Sequence, residues 1–509
     1  MDSVYVGIWS IVPPLVSIVF ALIFKEIISS LIIGLLTGTF IYSFFSSGVG
    51  YNPLDFVFSL VKENMSGGVS TIIFTSLLGI ISEVMVSSGS AAGYASWARK
   101  KIKSPVSSQL LSLFLSFVCS IDDMFLSLTV GNIMRPICDR NKISRAKLAY
   151  LIDMTASQLC LILPFSSWTA PIISCISGKN AMELFIKSIP FDFYAIFSVI
   201  CAISFSFSKN HLGLMSKFQR EVCDGKDSSR IDDDEIAKKD EKKDAKILDL
   251  ILPIVVLILV SVFMIFQTSG FFSENIRDFS TILNRANMDL SITFASFVSI
   301  LVCLIMFVPK KMSFEKFMSS SMEGIKSMTS TSVMLVLAWS ISSICRDYLM
   351  INDYIKNIIF SANISDKFIP FMSFLLSSFL SFSMGSSWGT FMLLIPIVSS
   401  TFSDIDQRIL VLSISAILSG SVAGVNCSPI SNSGMIASIG AGCKHLSHIS
   451  SQVPYASFTI VLSSISFLIC PFTNLLVSYL IPIVILVLFT YFLNKKQINI
   501  SKKHILPKK

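Results

Sequence analysis

The sequence predicts an all-α polytopic membrane protein of about 11 spans, arranged as two inverted repeats of about five transmembrane helices plus one re-entrant hairpin each. Three observations predict this. Hydrophobic residues fill 53% of the 509 positions and charged residues only 14%, against roughly 25% charge in a soluble domain. Apolar blocks of the ~20 residues that cross a bilayer recur from residue 8 to residue 493. A single mixed-charge run, 208–246, divides the chain almost in half.

In order, the blocks lie near 8–24, 27–46 and 70–90, then 104–134, 148–168 and 184–207. After the charged run come 247–266, 290–308, 320–345, 368–401, 408–440, 453–470 and 474–493. The first block follows no basic region and no small-residue cleavage site, so it reads as a retained helix and not a signal peptide. Lys and Arg collect at Arg99–Lys103, Arg135–Lys147, Lys209–Lys246, Lys310–Lys316 and from Lys495 onward. Such clusters mark the cytoplasmic side. One apolar block separates the first two clusters, so it must enter and return, as a hairpin at about 104–137 with Asp122 and Asp123 at its tip.

The same rule makes 368–401 a second hairpin, entering from the other side. The domains are then a first repeat (1–207), a charged cytoplasmic linker (208–246), a second repeat (247–470), and a last helix with a basic cytoplasmic tail (471–509). The N-terminus is expected outside and the C-terminus inside a cytoplasmic membrane. Inverted repeats with broken elements at the midplane are a secondary-transporter architecture. Thirteen plain crossings are the competing layout.

Composition also excludes chemistries. The eleven cysteines are scattered singly with no CxxC pair, and the four histidines form no HExxH. Zinc sites, a disulfide framework and metalloprotease chemistry are therefore not indicated. Nothing points to nucleic acid or to a cofactor; Na+ and H+ enter as transported or coupling ions.

The informative stretch is "LSFVCSIDDMFLSLTVGNIMRP", 115–136. A charge at the centre of a membrane helix costs about 2.5–3.5 kcal/mol even on a mild scale, and adjacent carboxylates repel. Protonation, a basic partner or a bound cation would relieve them. A hairpin tip adds free backbone carbonyls for a hard cation, and a site that holds a proton or a cation, rarely both, exchanges them. Capping of the second arm accounts for one aspartate but not for two. Thr129 and Asn132 offer further oxygens on the same arm.

Asp153, with Ser157 one turn on and Gln158 beside it, is the next intramembrane acid; helix packing by a satisfied polar residue competes there. These residues are taken as the cation and proton site, with Na+ at Asp122, Asp123 and Asp153. Glu83 sits alone near a helix end. The second half has no acid in "FSMGSSWGTFMLL" (382–394) or "SGSVAGVNCSPISNSGMIASIGAG" (419–442). Its Gly, Ser and Asn suit helix breaks lining a cavity, with tight small-residue packing the alternative. The candidates there are Ser386, Ser387, Thr390, Asn426, Ser428, Ser431 and Asn432.

In "DDMFLSLTVGNIMRPICDRNKISRAKLAYLIDMTA", "SMGSSWGTFMLLIPI" and "LSGSVAGVNCSPISNSGMIASIGAGCKHLSHISSQVPYA" the chain resembles the NhaC-type Na+/H+ antiporter family of a broader ion-transporter superfamily. The resemblance implies a plasma-membrane secondary transporter that exchanges internal Na+ for protons. It keeps acids at Asp122, Asp123 and Asp153. It departs where the family usually shows Gly-Asp-His-Cys-Ser-Pro-Ile-Ser-Asp-Thr-Thr: Val425 and Asn426 replace the Asp-His pair, Asn432 the later Asp, and Ser433 and Gly434 the threonines.

Because the superfamily includes carriers of organic and amino acids, two readings follow. One is Na+/H+ antiport; the other is Na+- or H+-coupled import of an amino or organic acid, held by the second-half cavity residues. An intramembrane aspartyl protease would need its GxGD signature, which is absent, and a passive channel would not need a titratable midplane site. The bilayer is the expected environment, anionic headgroups the partner of the basic tail, and a homodimer the one protein partner considered.

Overall fold

Where apolar blocks meet a capping residue or a proline, helices begin and end, and these points define the architecture. The computed structural model describes residues 3–24, 26–46, 52–89, 104–164, 166–177, 181–208, 210–231, 248–274, 281–282, 285–309, 312–351, 353–354, 357, 365–401 and 406–505. The first half contains α1 (Val12–Phe24), α2 (Ile27–Phe45), α3 (Pro53–Gly67), α4 (Val69–Ser88), α5 (Pro105–Val118), α6 (Asp123–Arg140), α7 (Arg145–Ile162), α8 (Thr169–Cys175), α9 (Ala181–Ser188) and α10 (Phe193–Phe207). After α11 (Gly213–Cys223) come α12 (Leu248–Thr268), α13 (Met288–Phe307), α14 (Phe314–Ser343), α15 (Ile369–Met384) and α16 (Ser387–Thr401). The chain ends with α17 (Gln407–Val425), α18 (Asn432–Ala441), α19 (His445–Ile469) and α20 (Leu475–Ile505).

The fold is helical throughout, and the one β-type contact among the described residues is an antiparallel bridge between Arg230 and Cys443. Ten helical stretches among these residues are long and apolar enough to cross a bilayer. Their outward faces carry exposed large apolar side chains such as Phe44, Leu259, Ile305 and Val484. A surface of that extent is made for lipid.

Two helices form the centre. Residues 145–161 of α7 and 409–425 of α17 are all buried. Around α7 pack α5, α6, α10, α18 and α19; around α17 pack α10, α15 and α16. Close approach comes from glycine where α6 meets α18: a Cβ on Gly131 would lie 2.2 Å from the Gly440 carbonyl carbon, and one on Gly440 2.2 Å from the Ser127 carbonyl oxygen.

Both of the blocks expected to fold back are broken in the middle. Ser104 and Ser107 form a capping box that starts α5 with Pro105 in its first turn. The chain then turns at 119–122, and the Asp122 carboxylate accepts from the Phe125 backbone N–H at 2.9 Å to start α6. In the second half Gly385, at φ +69°, ends α15 before Ser387 opens α16. A side chain at 385 would be strained twice, by that left-handed backbone and by the Ile430 carbonyl oxygen 2.5 Å from its Cβ.

Elsewhere the boundaries differ from expectation. The block at 148–168 ends as helix at Ile162, and 184–207 is interrupted by a 3-10 turn at Ile189–Phe191. The block at 408–440 splits into α17 and α18 around Pro429, and the amphipathic α3, opened by Asn52 and Pro53, was not expected at all. Proline and side-chain capping decide these points over apolar run length.

The charged run is not wholly a solvated linker. Its residues 210–231 are folded, with Met215 and Phe218 of α11 buried. The reason lies at the N-terminus of α7, which is buried and whose first N–H groups need acceptors. Asp227 accepts from the Arg145 N–H (3.1 Å) and the Ser229 hydroxyl from the Ala146 N–H (3.3 Å). Gln219 accepts from the Ser144 N–H at 3.1 Å. On its other side the Ile231 N–H donates to the Gly442 carbonyl and the Lys444 N–H to that of Ser229. Arg145, in a two-pronged pair with Asp139, also donates to the Ala441 carbonyl at 2.8 Å. This clasp ties the loop before α7 to the loop after α18. Residues 232–247 lie outside the described residues.

Candidate functional site

Three broken elements meet at one cavity of about 150 Å³. The N-termini of α6, α16 and α18 bring Asp122 and Asp123, Ser386 and Ser387, and Asn432 and Ser433 to its wall. Ser127 and Ser157 add hydroxyls from α6 and α7, Ser327, Ser330 and Thr331 from α14, and the indoles of Trp168 and Trp388 form one apolar side. Those rings lie 5.2 Å apart between centroids. Among the described residues no Lys, Arg or His lines the cavity.

The two aspartates are held differently. Asp122 is committed to structure: besides the Phe125 N–H it accepts from the Ser167 hydroxyl (3.0 Å) and the Ser82 hydroxyl (3.5 Å). Among the described residues the side-chain donors to Asp123 both bond at long range, the Trp168 indole N–H (3.4 Å) and the Ser157 hydroxyl (3.3 Å). Its carboxylate keeps lone pairs free while lying buried. Of the pair, Asp123 is the acid available for binding.

Asp153 does not join them. Its Oδ2 accepts from the amides of Asn426 (3.1 Å) and Gln452. Asn426 Oδ1 in turn accepts from Gln158 (2.7 Å) and from the Tyr194 hydroxyl (3.2 Å). The expected cluster of three acids around one Na+ is thus two separate sites, and no three His, Cys, Asp or Glu side chains among the described residues converge as metal ligands. The reason is helix pitch. Ser157 sits one turn along α7 from Asp153 and reaches Asp123, while Asp153 faces the break after α17.

The remaining candidates divide. Ser386, Ser387 and Asn432 line the cavity. Thr390 is buried and donates back to the Ser386 carbonyl (2.9 Å), and Ser431 caps α18 through the Gly434 N–H (2.9 Å). The buried Ser428 hydroxyl has no hydrogen-bond partner among the described residues and does not reach the cavity. Thr129 is buried off the cavity, and Asn132 is exposed. At about 100° per residue Asn132 lies roughly 180° around α6 from Asp123, whereas Ser127 returns to within about 40°. Glu83 accepts from Ser87 (3.1 Å), away from the cavity; its neighbour Ser82 is the residue that matters.

Sequence reading missed Trp168, Ser167, Gln452 and His448, which only the folded chain brings near. It also missed the stripe of Ser327, Ser330 and Thr331. That stripe was visible as hydroxyls at helical spacing in an otherwise apolar block. Since Trp168 donates to Asp123, a cation arriving there should change indole fluorescence. Trp168→Phe should remove most of any Na+-dependent fluorescence change, measured by titrating Na+ into the purified protein.

Two solved transporters share the fold. The MtrF efflux pump of Neisseria gonorrhoeae superposes with a TM-score of 0.50 at 13% identity, over 91% of this chain and 95% of that one. The YdaH transporter of Alcanivorax borkumensis gives 0.51 at 11% identity, over 90% and 98%. An uncharacterized protein of Haemophilus influenzae is 32% identical over 483 residues, covering 92% of this chain and 91% of that one. The pattern of the Na+/H+ antiporter family matches residues 159–472, more than half of the 509, and includes α16, α17 and α18. With the cavity, the helical bundle and these likenesses together, the chain is a multi-pass membrane transporter, not an enzyme, and belongs to the Na+/H+ antiporter family.

Proposed function

We propose that this protein exchanges Na+ for protons across the cytoplasmic membrane at Asp123, with its N-terminus outside and C-terminus inside. One observation carries this reading: a buried carboxylate with spare lone pairs faces a cavity that, among the described residues, offers it no basic partner. Such a group must be neutralised. A proton does it in one state and a hard cation in the other, with hydroxyls and backbone oxygens of the three breaks completing an oxygen shell. Asp122 keeps α6 starting at the cavity and adds negative potential. The test is proteoliposomes with an imposed pH gradient, to which Na+ is added with no other solute while lumenal pH is recorded. Proton movement supports antiport; silence overturns it.

A second reading, coupled import of a small amino or organic acid, draws on the cavity's size. At about 150 Å³ it is several times the ~30 Å³ that one water occupies in the liquid. Val425 and Asn432, which stand where the family has acids, both line it. The hydroxyls of Ser127 and Ser387, each residue more than nine-tenths buried on its wall, make no hydrogen bond among the described residues. Acids at one side and helix N-termini at the other suit a zwitterion. Asn432→Asp separates the readings: under antiport the added carboxylate should tighten Na+ about tenfold, about 1.4 kcal/mol. Under import it should leave Na+ affinity alone and abolish solute uptake.

A further inference from the structure

Outside the cavity the structure holds a second polar chain that runs from Asp153 to the first residue of α19. Gln452 donates from Nε2 to Asp153 Oδ2 and to the Asn426 carbonyl (2.9 Å). Both are acceptors, so the orientation of this amide is settled and its Oε1 must accept. His448 Nε2 lies 2.9 Å from that oxygen and therefore carries a proton. His448 Nδ1 lies 2.8 Å from the Ser438 hydroxyl, which is 3.2 Å from His445 Nδ1. His445 Nε2 is 2.9 Å from the Pro429 carbonyl, an acceptor, so it too is protonated. Both Nδ1 atoms thus face the same rotatable hydroxyl, and His448 Nδ1 also lies 3.3 Å from the Gly434 carbonyl, which accepts once that nitrogen is protonated. His448 is fully buried, while His445 is half-buried at the start of α19.

We propose that the His445–Ser438–His448 chain is a proton relay that ends on His448, across Gln452 from Asp153, a second proton site acting alongside the Na+/H+ exchange at Asp123; this rests on the exchange reading above. A proton taken up on His445 Nδ1 passes to Ser438 Oγ as that hydroxyl releases its own proton to His448 Nδ1. One O–H bond forms, one breaks, and the positive charge moves from ring to ring. The imidazolium of His448 then stands across Gln452 from the Asp153 carboxylate, which balances it. Neither state requires a heavy atom to move, because Ser438 satisfies both by rotation, with the Gly434 carbonyl (2.6 Å) as its other acceptor.

The titratable groups around His448 are Asp153 from α7, Cys443 from the loop before α19, and His445 from its own helix, while Tyr194 of α10 and Cys427 after α17 stand against Asp153. Among the described residues α18 contributes only Ser438 and backbone. Coupling to the cavity runs through α7, which bears Asp153 and, one turn on, the Ser157 that bonds Asp123.

The test pairs Ser438→Ala with Ser438→Thr in the full-length protein. Ala should slow Na+-driven proton movement in proteoliposomes at least tenfold, with Na+-dependent Trp168 fluorescence unchanged, and Thr should restore it. An Ala variant that exchanges at the wild-type rate overturns the proposal. The second measurement is 15N NMR of histidine-labelled protein, whose four histidines are assigned by substitution, between about pH 5 and 9. Neutral His448 should be protonated at Nε2 and gain its second proton at Nδ1. The opposite tautomer, or an Nδ1 that never protonates, overturns the proposal. Wild-type protein that moves no protons on Na+ addition would remove the antiport reading, while the NMR result still decides whether this chain carries a proton.

Discussion

Asp123→Asn abolishes exchange, by at least 100-fold in Na+-driven proton movement, and leaves folding intact. The amide has nearly the volume of the carboxylate; its oxygen still accepts from the Trp168 indole, and its NH2 donates to the Ser157 hydroxyl, which turns to accept. What it loses is the charge that a proton or a cation neutralises. Asp122→Asn is the internal control. Asn is as good an N-cap as Asp, so the Phe125 bond and α6 persist, and exchange falls only partly. Asp122→Ala, which removes the cap, instead costs about 1 kcal/mol of stability. Equal losses in the two Asn variants would show that the pair acts as one site and that Asp123 has no special role. Full activity in Asp123→Asn would sink the assignment.

Gly440→Ala should destabilise the protein even though the substitution favours helix. Propensity alone gives about 1 kcal/mol in favour of Ala within a helix. The new methyl would stand 2.2 Å from the Ser127 carbonyl oxygen, and backbone cannot rotate out of the way. Forced overpacking costs about 1–3 kcal/mol, so the clash prevails and α6 must move away from α18. Gly67→Ala, at the end of α3 with nothing within 4 Å of its new methyl, is the matched case and should be neutral or slightly stabilising. Thermal unfolding of the purified proteins in detergent compares them. Because α6 and α18 each bring their first residues to the cavity, Gly440→Ala should also weaken Na+ binding, whereas Gly67→Ala should not.

Much of the site was legible because polar groups are costly in an apolar context. Asp122, Asp123, Ser386, Ser387 and Asn432 stood out against their surroundings, and all five line the cavity. Breaks were legible where glycine, proline or a capping side chain announced them, as at Asp122, Gly385 and Pro429. Two kinds of information were not. Angular position around a helix separates Ser127 from Asn132, and proximity along the chain hides it. Partnership across the fold is the other: Asn426 was expected in the cavity, but Gln158, Tyr194 and Gln452, drawn from three other helices, bind it to Asp153. The folded part of the charged run was masked by its composition, since two buried apolar residues on α11 suffice to dock it.

That clasp also has a bearing on biosynthesis. Asp227 and Ser229 can bond the start of α7 as soon as they leave the ribosome. Their partners Gly442 and Lys444 are translated much later: from Ile231 to Gly442 is 442 − 231 = 211 residues, roughly 10–40 s at 5–20 residues per second. During that interval the clasp is half made, a docking edge awaiting the second half of the chain. A gene split within 232–246 would leave the clasp on the first fragment, ready to receive the second, whereas a split before residue 210 would strip α7 of its acceptors at birth.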